Sequence, residues 1–333
     1  MYILAIETSC DETSISIVKN GNIDISTVVL SQIDVHTTFG GVVPEIASRR
    51  HVENITMVLE QCLKEANLTM EDIDAIAIAY APGLIGSLLI GLQTAKTLSL
   101  IYDLPLIPVH HLAGHIYGNA FEKPLKFPLL ALVVSGGHTE LIYMQEDYTF
   151  EKLGGTLDDA VGEAYDKIAR IMGLGYPGGP IIDKLAKEGK PTYKLPIPMD
   201  DKTHNFSFSG LKSAVLNLVN NELQRGNKIN KADLSRSFQD VATYILTKKT
   251  INAAKELNVD QVILAGGVAA NQDLRKSLTK ACEENNIELH IPPFKYCTDN
   301  ATMIGAAAYA AYKKGKIADL NLNSASTLPL NEE

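Results

Sequence analysis

The chain has 333 residues, 46% hydrophobic and 21% charged, which excludes a disordered polypeptide and leaves room for two domains with separate cores. Its formal net charge of −9 excludes a simple basic nucleic-acid binder, because such affinity comes from neutralising phosphates. Any RNA handling then needs a local basic patch or a basic partner. Arg49-Arg50-His51 and Lys248-Lys249 are the short basic clusters, and each also reads as a solvated face.

In chain order, Ile3 to Val18 (ILAIETSCDETSISIV) predicts an apolar strand, a short polar turn and an alternating strand. Glu45 to Lys64 carries apolar residues at helical spacing. Ser87 to Leu100 predicts a second helix after the turn Ala81-Pro82-Gly83. The surrounding run, Leu84 to Tyr102, is interrupted by Gly86, Ser87, Gln93 and Lys96, so it reads as a buried helix and not a membrane span. Leu129 to Met144 (LLALVVSGGHTELIYM) repeats the opening strand-turn-strand pattern, which predicts two domains of one architecture. Helices follow at Asp159 to Met172 and Lys231 to Leu257, then a strand at Gln261 to Gly267. Alternating strands and helices make the fold class α/β. A Pro-containing turn at Lys123 to Phe127 separates the halves, and the polar tail after Leu320 is expected to be loosely held. Cys10, Cys62, Cys282 and Cys297 form no CxxC pair, which fits a reduced, cytoplasmic protein, and no signal peptide is expected.

Three of the eight histidines fall in VHHLAGH, Val109 to His115. On a helix His111 and His115 share a face, a spacing that suits a metal pair but equally a hydrogen-bonded helix end. A zinc peptidase of the His-Glu-x-x-His type needs a Glu after the first His, where Leu112 stands here. Three glycine turns could approach phosphates: Ser135 to Thr139 (SGGHT), Tyr176 to Pro180 (YPGGP) and Ala265 to Asn271 (AGGVAAN). The phosphate-loop and dinucleotide signatures are absent; Ser209 to Ser213 (SGLKS) and the first strand's ETSCDET turn do not satisfy them. Asp166 and Asp183 could each accept from ribose hydroxyls, though the plainer reading is a surface carboxylate paired with Lys167 or Lys184.

Together ETSCDET, GGVVPEIASRRH, APGLIGSLLIG, HHLAGH, VSGGHTEL, GEAYDK, FSFSGLKS, AGGVAAN and CTDNATMIG run in order over nearly the whole chain. They resemble the TsaD (Gcp) family of tRNA threonylcarbamoyladenosine synthase subunits, once labelled O-sialoglycoprotein endopeptidases, in its bacterial branch. The resemblance implies a two-lobed actin, Hsp70 and sugar-kinase (ribonuclease-H-like) fold with a duplicated domain. The expected division is a first lobe over 1–108 rejoined by a helix within 299–320, a second lobe over 109–298, and a tail over 321–333.

It also implies transfer of a threonylcarbamoyl group from threonylcarbamoyl-AMP to the exocyclic amine of the adenosine beside the tRNA anticodon, in tRNAs reading codons that begin with adenine. One divalent metal ion, iron or zinc, would be held in the cleft by His111, His115 and Asp299. The Tyr ligand of archaeal relatives is replaced by Val133. Val134, Ser135, Gly136, Gly137, His138, Asp166, Gly179, Asp183 and Asn271 match adenylate-contacting positions, where ATP or ADP could also sit. Asp11 and Glu12 are candidate bases or positioning groups. Partners would be tRNA, an inactive TsaB-like paralogue and a TsaE-like ATPase, with the donor made by a separate synthase and no membrane involved. The Phe206 to Ser213 segment (FSFSGLKS) suits a tRNA or partner contact, or a core turn with a helix cap. The competing functions are a metallopeptidase and a noncatalytic ATP-binding scaffold.

Overall fold

The structure is a computed structural model and describes residues Met1–Glu332. The chain divides into two compact units, one of residues Met1–Leu125, Glu146–Phe150 and Pro292–Glu333, the other of Lys126–Gln145 and Glu151–Ile291.

The first unit contains β1 (Tyr2–Glu7), β2 (Glu12–Lys19), β3 (Ile23–Ser31), α1 (Ile33–Thr37), α2 (Pro44–Ala66), β4 (Ala75–Ala81), α3 (Ile85–Tyr102), β5 (Leu106–His110) and α4 (His111–Tyr117). The second begins with β6 (Leu129–Val134), β7 (Thr139–Met144), β8 (Glu151–Gly155), α5 (Val161–Ile171), α6 (Gly178–Ala186) and α7 (Ser209–Gln224). It continues with α8 (Lys231–Glu256), β9 (Gln261–Ala265), α9 (Gln272–Glu284) and β10 (Glu288–His290), and the chain returns to the first unit for α10 (Ala301–Lys313).

The two sheets share one topology. The first has the order β3-β2-β1-β4-β5 and the second, written in the same direction, β8-β7-β6-β9-β10. In each, a central strand pairs antiparallel with the next strand and parallel with a later one: β1 with β2 and β4, β6 with β7 and β9. Both central strands are covered on two faces, which is why Ile3 to Ile6 and Leu129 to Val134 are uninterrupted apolar runs. The core of the first unit is built from strand residues such as Leu4, Ile6, Ile15, Ile17, Ile76 and Ile78 against Ile55, Val58 and Leu92 of the helices.

Helix α3 is, by length and composition, the one described helix that could cross a membrane; here it lies against β4 and α2. None of the four cysteines is in a disulfide. Several expectations need correcting. Residues 109–125 were expected to open the second lobe, yet they belong to the first unit, because α4 packs on α10. The tail after Leu320 is anchored: Ser326 O accepts from Gly83 N, Ala325 N donates to Tyr80 O, and Leu330 is buried. The basic clusters are not uniformly solvated. Arg49 and Arg50 pair with Glu45 and Glu53 on the surface, but His51 and Lys249 are buried. Phe206 and Phe208 are wholly buried and Asp158 accepts from Phe208 N and Ser209 N ahead of α7, while Gly210 and Ser213 stay exposed.

Candidate functional site

The three clustered histidines have different work. His110 ends β5 and caps α4: its Nδ1 accepts from Leu112 N at 3.2 Å, and its Nε2 donates to Leu328 O at 2.9 Å. Burial pushes its imidazole down to about 4, so it stays neutral in this role. His111 and His115 lie one turn apart on α4, both buried, with ring centroids 4.7 Å apart in an edge-to-face arrangement.

Asp299 comes to them from a distant part of the chain. It immediately precedes Asn300, whose Oδ1 accepts from Met303 N and caps α10. Helix α10 can approach α4 closely because Gly114 faces it, where a Cβ would lie 2.7 Å from Ile304 Cδ1. The start of α10 is fixed to β2 by Ala301 N donating to Ser14 Oγ at 2.9 Å. As a result Asp299 Oδ1 lies 3.4 Å from His111 Nε2 and 3.2 Å from His115 Nε2. Among the described residues this is the group of His, Cys, Asp or Glu side chains close enough to share a cation, with ligand atoms all within 4.8 Å of one another.

The electrostatics of the two imidazoles differ. Burial works against a charge on His111, but the carboxylates of Asp299 and Glu7 raise it well above its ordinary value. His115 is pushed down by burial and by the charge of His111; its Nδ1 is buried without a hydrogen-bond partner, and its Nε2 faces only Asp299. Burial also opposes the charge of Asp299, yet the imidazoles, His111 first, hold its carboxyl far below the usual range. A buried, orphaned imidazole beside an ionised carboxylate is a poor structural arrangement and a good cation site. The donor set therefore fits a divalent metal, with two imidazoles and one carboxylate leaving coordination positions open.

The turn after β1 is fixed from four sides. Ser9 N donates to Glu7 Oε1, Ser9 O accepts from Leu84 N, Cys10 O accepts from His51 Nε2 at 3.0 Å, and Asp11 O accepts from Gln32 N. Gly83 makes the second contact possible, since a Cβ there would fall 2.6 Å from Ser9 O. At the end of this turn, burial together with Asp299 and Asp11 raises Glu12 to about 9, while Ser31 donates to its Oε1. Glu12 is thus held toward its protonated form, beside Asp11.

In the second unit the glycine turns follow strand ends. The Ser135 to His138 turn closes through Ser135 N to His138 O at 2.8 Å. Val134 is wholly buried, so only its backbone is available there. Gly266 is demanded by the fold: its φ is +92°, and a Cβ would meet Val134 O at 2.3 Å. Gly136, Gly137, Gly179 and Gly267 are different, since none has a positive φ and nothing lies within 4 Å of a Cβ built there. Neither backbone conformation nor packing requires glycine at those four positions.

The plainer alternative for Asp166 and Asp183, pairing with Lys167 and Lys184, is not what the structure shows. Instead Lys167 pairs with Asp159 and Glu163, and Asp183 is 3.9 Å from Lys187. Asp166 Oδ1 accepts from Gly178 N at 2.6 Å, so it holds the turn into α6. Asn271 caps α9 through Leu274 N and donates to Gln239 Oε1 at 2.9 Å, which commits its side-chain amide to the protein. Asp183 Oδ1 accepts from the same Gln239. Two organising residues, Glu7 and Gln239, have no role in the sequence reading, and a third, His51, is read there only as part of a basic cluster. The signals were a carboxylate ending an apolar strand and polar side chains on the buried stripes of α2 and α8.

The fold is of the actin-like type that also appears in solved structures of low sequence identity. The HypF of T. kodakarensis superposes with TM-score 0.65 at 14% identity, covering 95% of this chain and 48% of that one. Component A of the Acidaminococcus fermentans (R)-2-hydroxyglutaryl-CoA dehydratase gives 0.54 at 19% identity, covering 94% and 98%. The model of the TsaD family, described as tRNA N6-adenosine threonylcarbamoyltransferase, matches residues 25–306. Proteins of that name from Staphylococcus saprophyticus and Staphylococcus haemolyticus are 56% and 57% identical over 331 residues, covering 99% of this chain and 97% of each relative. The chain belongs to the TsaD family of tRNA N6-adenosine threonylcarbamoyltransferases.

Proposed function

We propose that this chain transfers the threonylcarbamoyl group from threonylcarbamoyl-AMP to the exocyclic amine of the adenosine beside the anticodon, in tRNAs reading codons that begin with adenine. The observation that carries the proposal is the convergence of His111, His115 and Asp299 in a chain of this family. These residues would hold one divalent ion, iron or zinc, both of which accept imidazole and carboxylate. When bound, such an ion supplies a Lewis acid for the carbamoyl oxygen of the donor.

The chain's own groups do the rest. Backbone N–H groups of Gly136 and Gly137 would hold the adenylate phosphate, with Gly179 keeping the approach open from the turn that Asp166 fixes. Asp183 would accept from the ribose hydroxyls through the oxygen not engaged by Gln239. Asp166 and Asn271 would act indirectly, by fixing the turn into α6 and the start of α9. Asp11 would take the proton released by the attacking amine, with Glu12 donating its own proton to hold Asp11 in place. The acceptor amine is a weak nucleophile, so alignment on the carbonyl carbon is a large part of the rate.

A peptidase reading lacks its base, because Leu112 is buried where that mechanism needs a Glu. A noncatalytic scaffold would have no need for an orphaned His115 beside Asp299. The net charge of −9 supports tRNA binding together with partner proteins, and the family resemblance names them as an inactive paralogue and an ATPase, with a separate donor synthase, in the cytoplasm. The test is reconstitution with those partners, unmodified tRNA, threonine, bicarbonate and ATP, followed by nucleoside analysis. Threonylcarbamoyladenosine that appears only when this chain is present supports the proposal. Unmodified adenosine, with the partners shown to make the donor, would reject it.

A further inference from the structure

Glu7 is a carboxylate at the end of a central strand whose other interior positions are apolar, and it is wholly buried. Its two oxygens are divided between two neighbours. Oε1 accepts from Ser9 N, and Oε2 lies 3.0 Å from Nδ1 of His111. Ser9 Oγ also lies 3.2 Å from that nitrogen. His115 has no counterpart, since its Nδ1 is unpartnered. One of the two imidazoles is thus oriented from behind and the other is not.

We infer that Glu7 is the positioning residue of the metal centre: its carboxylate accepts from Nδ1–H of His111, fixing the tautomer that presents Nε2 toward His115 and Asp299. The inference rests on the metal reading of His111, His115 and Asp299. An imidazole whose Nδ1–H faces a carboxylate is both held in orientation and made a stronger donor at Nε2. Both oxygens of Glu7 must accept for this to work. An amide offers one acceptor and one donor, so Glu7→Gln creates a conflict at one end. Either the new NH2 faces Ser9 N–H, or it faces His111 Nδ1 and drives the hydrogen to Nε2, where the metal should bind.

The experiment is a zinc competition titration against a chromophoric chelator, using the full-length chain as wild type, His115→Ala and Glu7→Gln. Unfolding midpoints of the metal-free proteins are measured in parallel. The wild type should bind one zinc, His115→Ala should lose that site, and Glu7→Gln should bind about 10–100-fold more weakly at the same stoichiometry. If His115→Ala titrates like the wild type, the metal reading itself fails. If His115→Ala loses the site but Glu7→Gln binds like the wild type, the role of Glu7 is overturned and the metal reading stands. A lower unfolding midpoint for Glu7→Gln with unchanged affinity of the folded protein also overturns it, since that marks a structural carboxylate.

Should Glu7→Gln not fold, the wild type decides. Nitrogen-15 NMR of the metal-free chain, at alkaline pH where the ring is neutral, should show His111 as the Nδ1–H tautomer. The Nε2–H tautomer, commoner in free imidazole side chains, would overturn the proposal.

Discussion

Gln239 donates from Nε2 to Oδ1 of Asp183 at 3.0 Å, and its second amide hydrogen reaches Oδ2 of Asp273 at 2.6 Å. Its Oε1 accepts from Asn271 Nδ2 and from the Tyr165 hydroxyl at 3.2 Å. One buried amide therefore orders the carboxylate proposed for the ribose and the residue that caps α9. A carboxylate of the same size could not do this, since it has no hydrogens to give the two aspartates. Replacing Gln239 by Leu strands buried polar groups, at about 1–3 kcal/mol each. Gln239→Leu should lower the unfolding free energy by about 3 kcal/mol in urea and weaken AMP binding about tenfold by calorimetry. AMP binding that survives intact would separate this network from the nucleotide.

The glycines divide into those the fold needs and those it does not. At Gly266 the positive φ and the contact with Val134 O make Ala costly. At Gly136 and Gly137 there is open space and an ordinary φ. Gly136→Ala should therefore leave thermal stability within about 1 kcal/mol of the wild type, while Gly266→Ala loses more than that. Gly136→Ala should nevertheless weaken adenylate binding, because a Cβ enters the space proposed for the phosphate. Equal affinity in wild type and Gly136→Ala would remove this turn from the proposed contact.

His51, which is not among the proposed metal ligands, supplies a pH dependence of its own. Its Nε2 donates to Cys10 O, so Nδ1 accepts from Thr13 Oγ1 at 2.8 Å. Burial lowers its affinity for a proton below the ordinary histidine value. The unfolded chain then binds more protons than the native one below about pH 6.5, and stability is lost as pH falls through that window. It is fully present above it. Urea unfolding at pH 7.5, 6.0 and 5.0 should show this decline, and His51→Gln should be less stable at pH 7.5 with a shallower slope. Parallel slopes would show that His51 does not titrate in the transition.

Metal binding should couple to stability. Zinc at about 1,000 times its Kd should add about 4 kcal/mol to the unfolding free energy, and a chelator should remove it. Asp299→Ala should abolish the gain, because it leaves two imidazoles and no anion. A gain retained by Asp299→Ala would place the ion elsewhere.

The strand-turn-strand repeat was legible because both central strands are buried on two faces and so are continuously apolar. The pair His111 and His115 was legible because helical spacing is local. Asp299 was reached through family resemblance, and its approach depends on α4 meeting α10 at Gly114, which no local pattern encodes. Glu7, His51 and Gln239 were missed for a related reason. Their partners lie 104, 41 and 56 residues away, and only the assembled sheet and helices bring them together. Spacing did mark His51, which falls on the buried stripe Ala47, His51, Ile55, Val58 and Cys62 of α2; the adjoining arginines disguised it as part of a charged run. The tail looks loose in sequence because its anchors are backbone bonds of Ala325, Ser326 and Leu328 and the buried Leu330, none of which polarity reveals.

The central claim is a single cation shared by His111, His115 and Asp299. An anomalous difference map from crystals grown with zinc or iron tests it most directly. One peak about 2.0–2.2 Å from Nε2 of both imidazoles and from an Asp299 oxygen is the expected result. A fully loaded crystal with its peak elsewhere, or with Asp299 turned away from the ion, would contradict it.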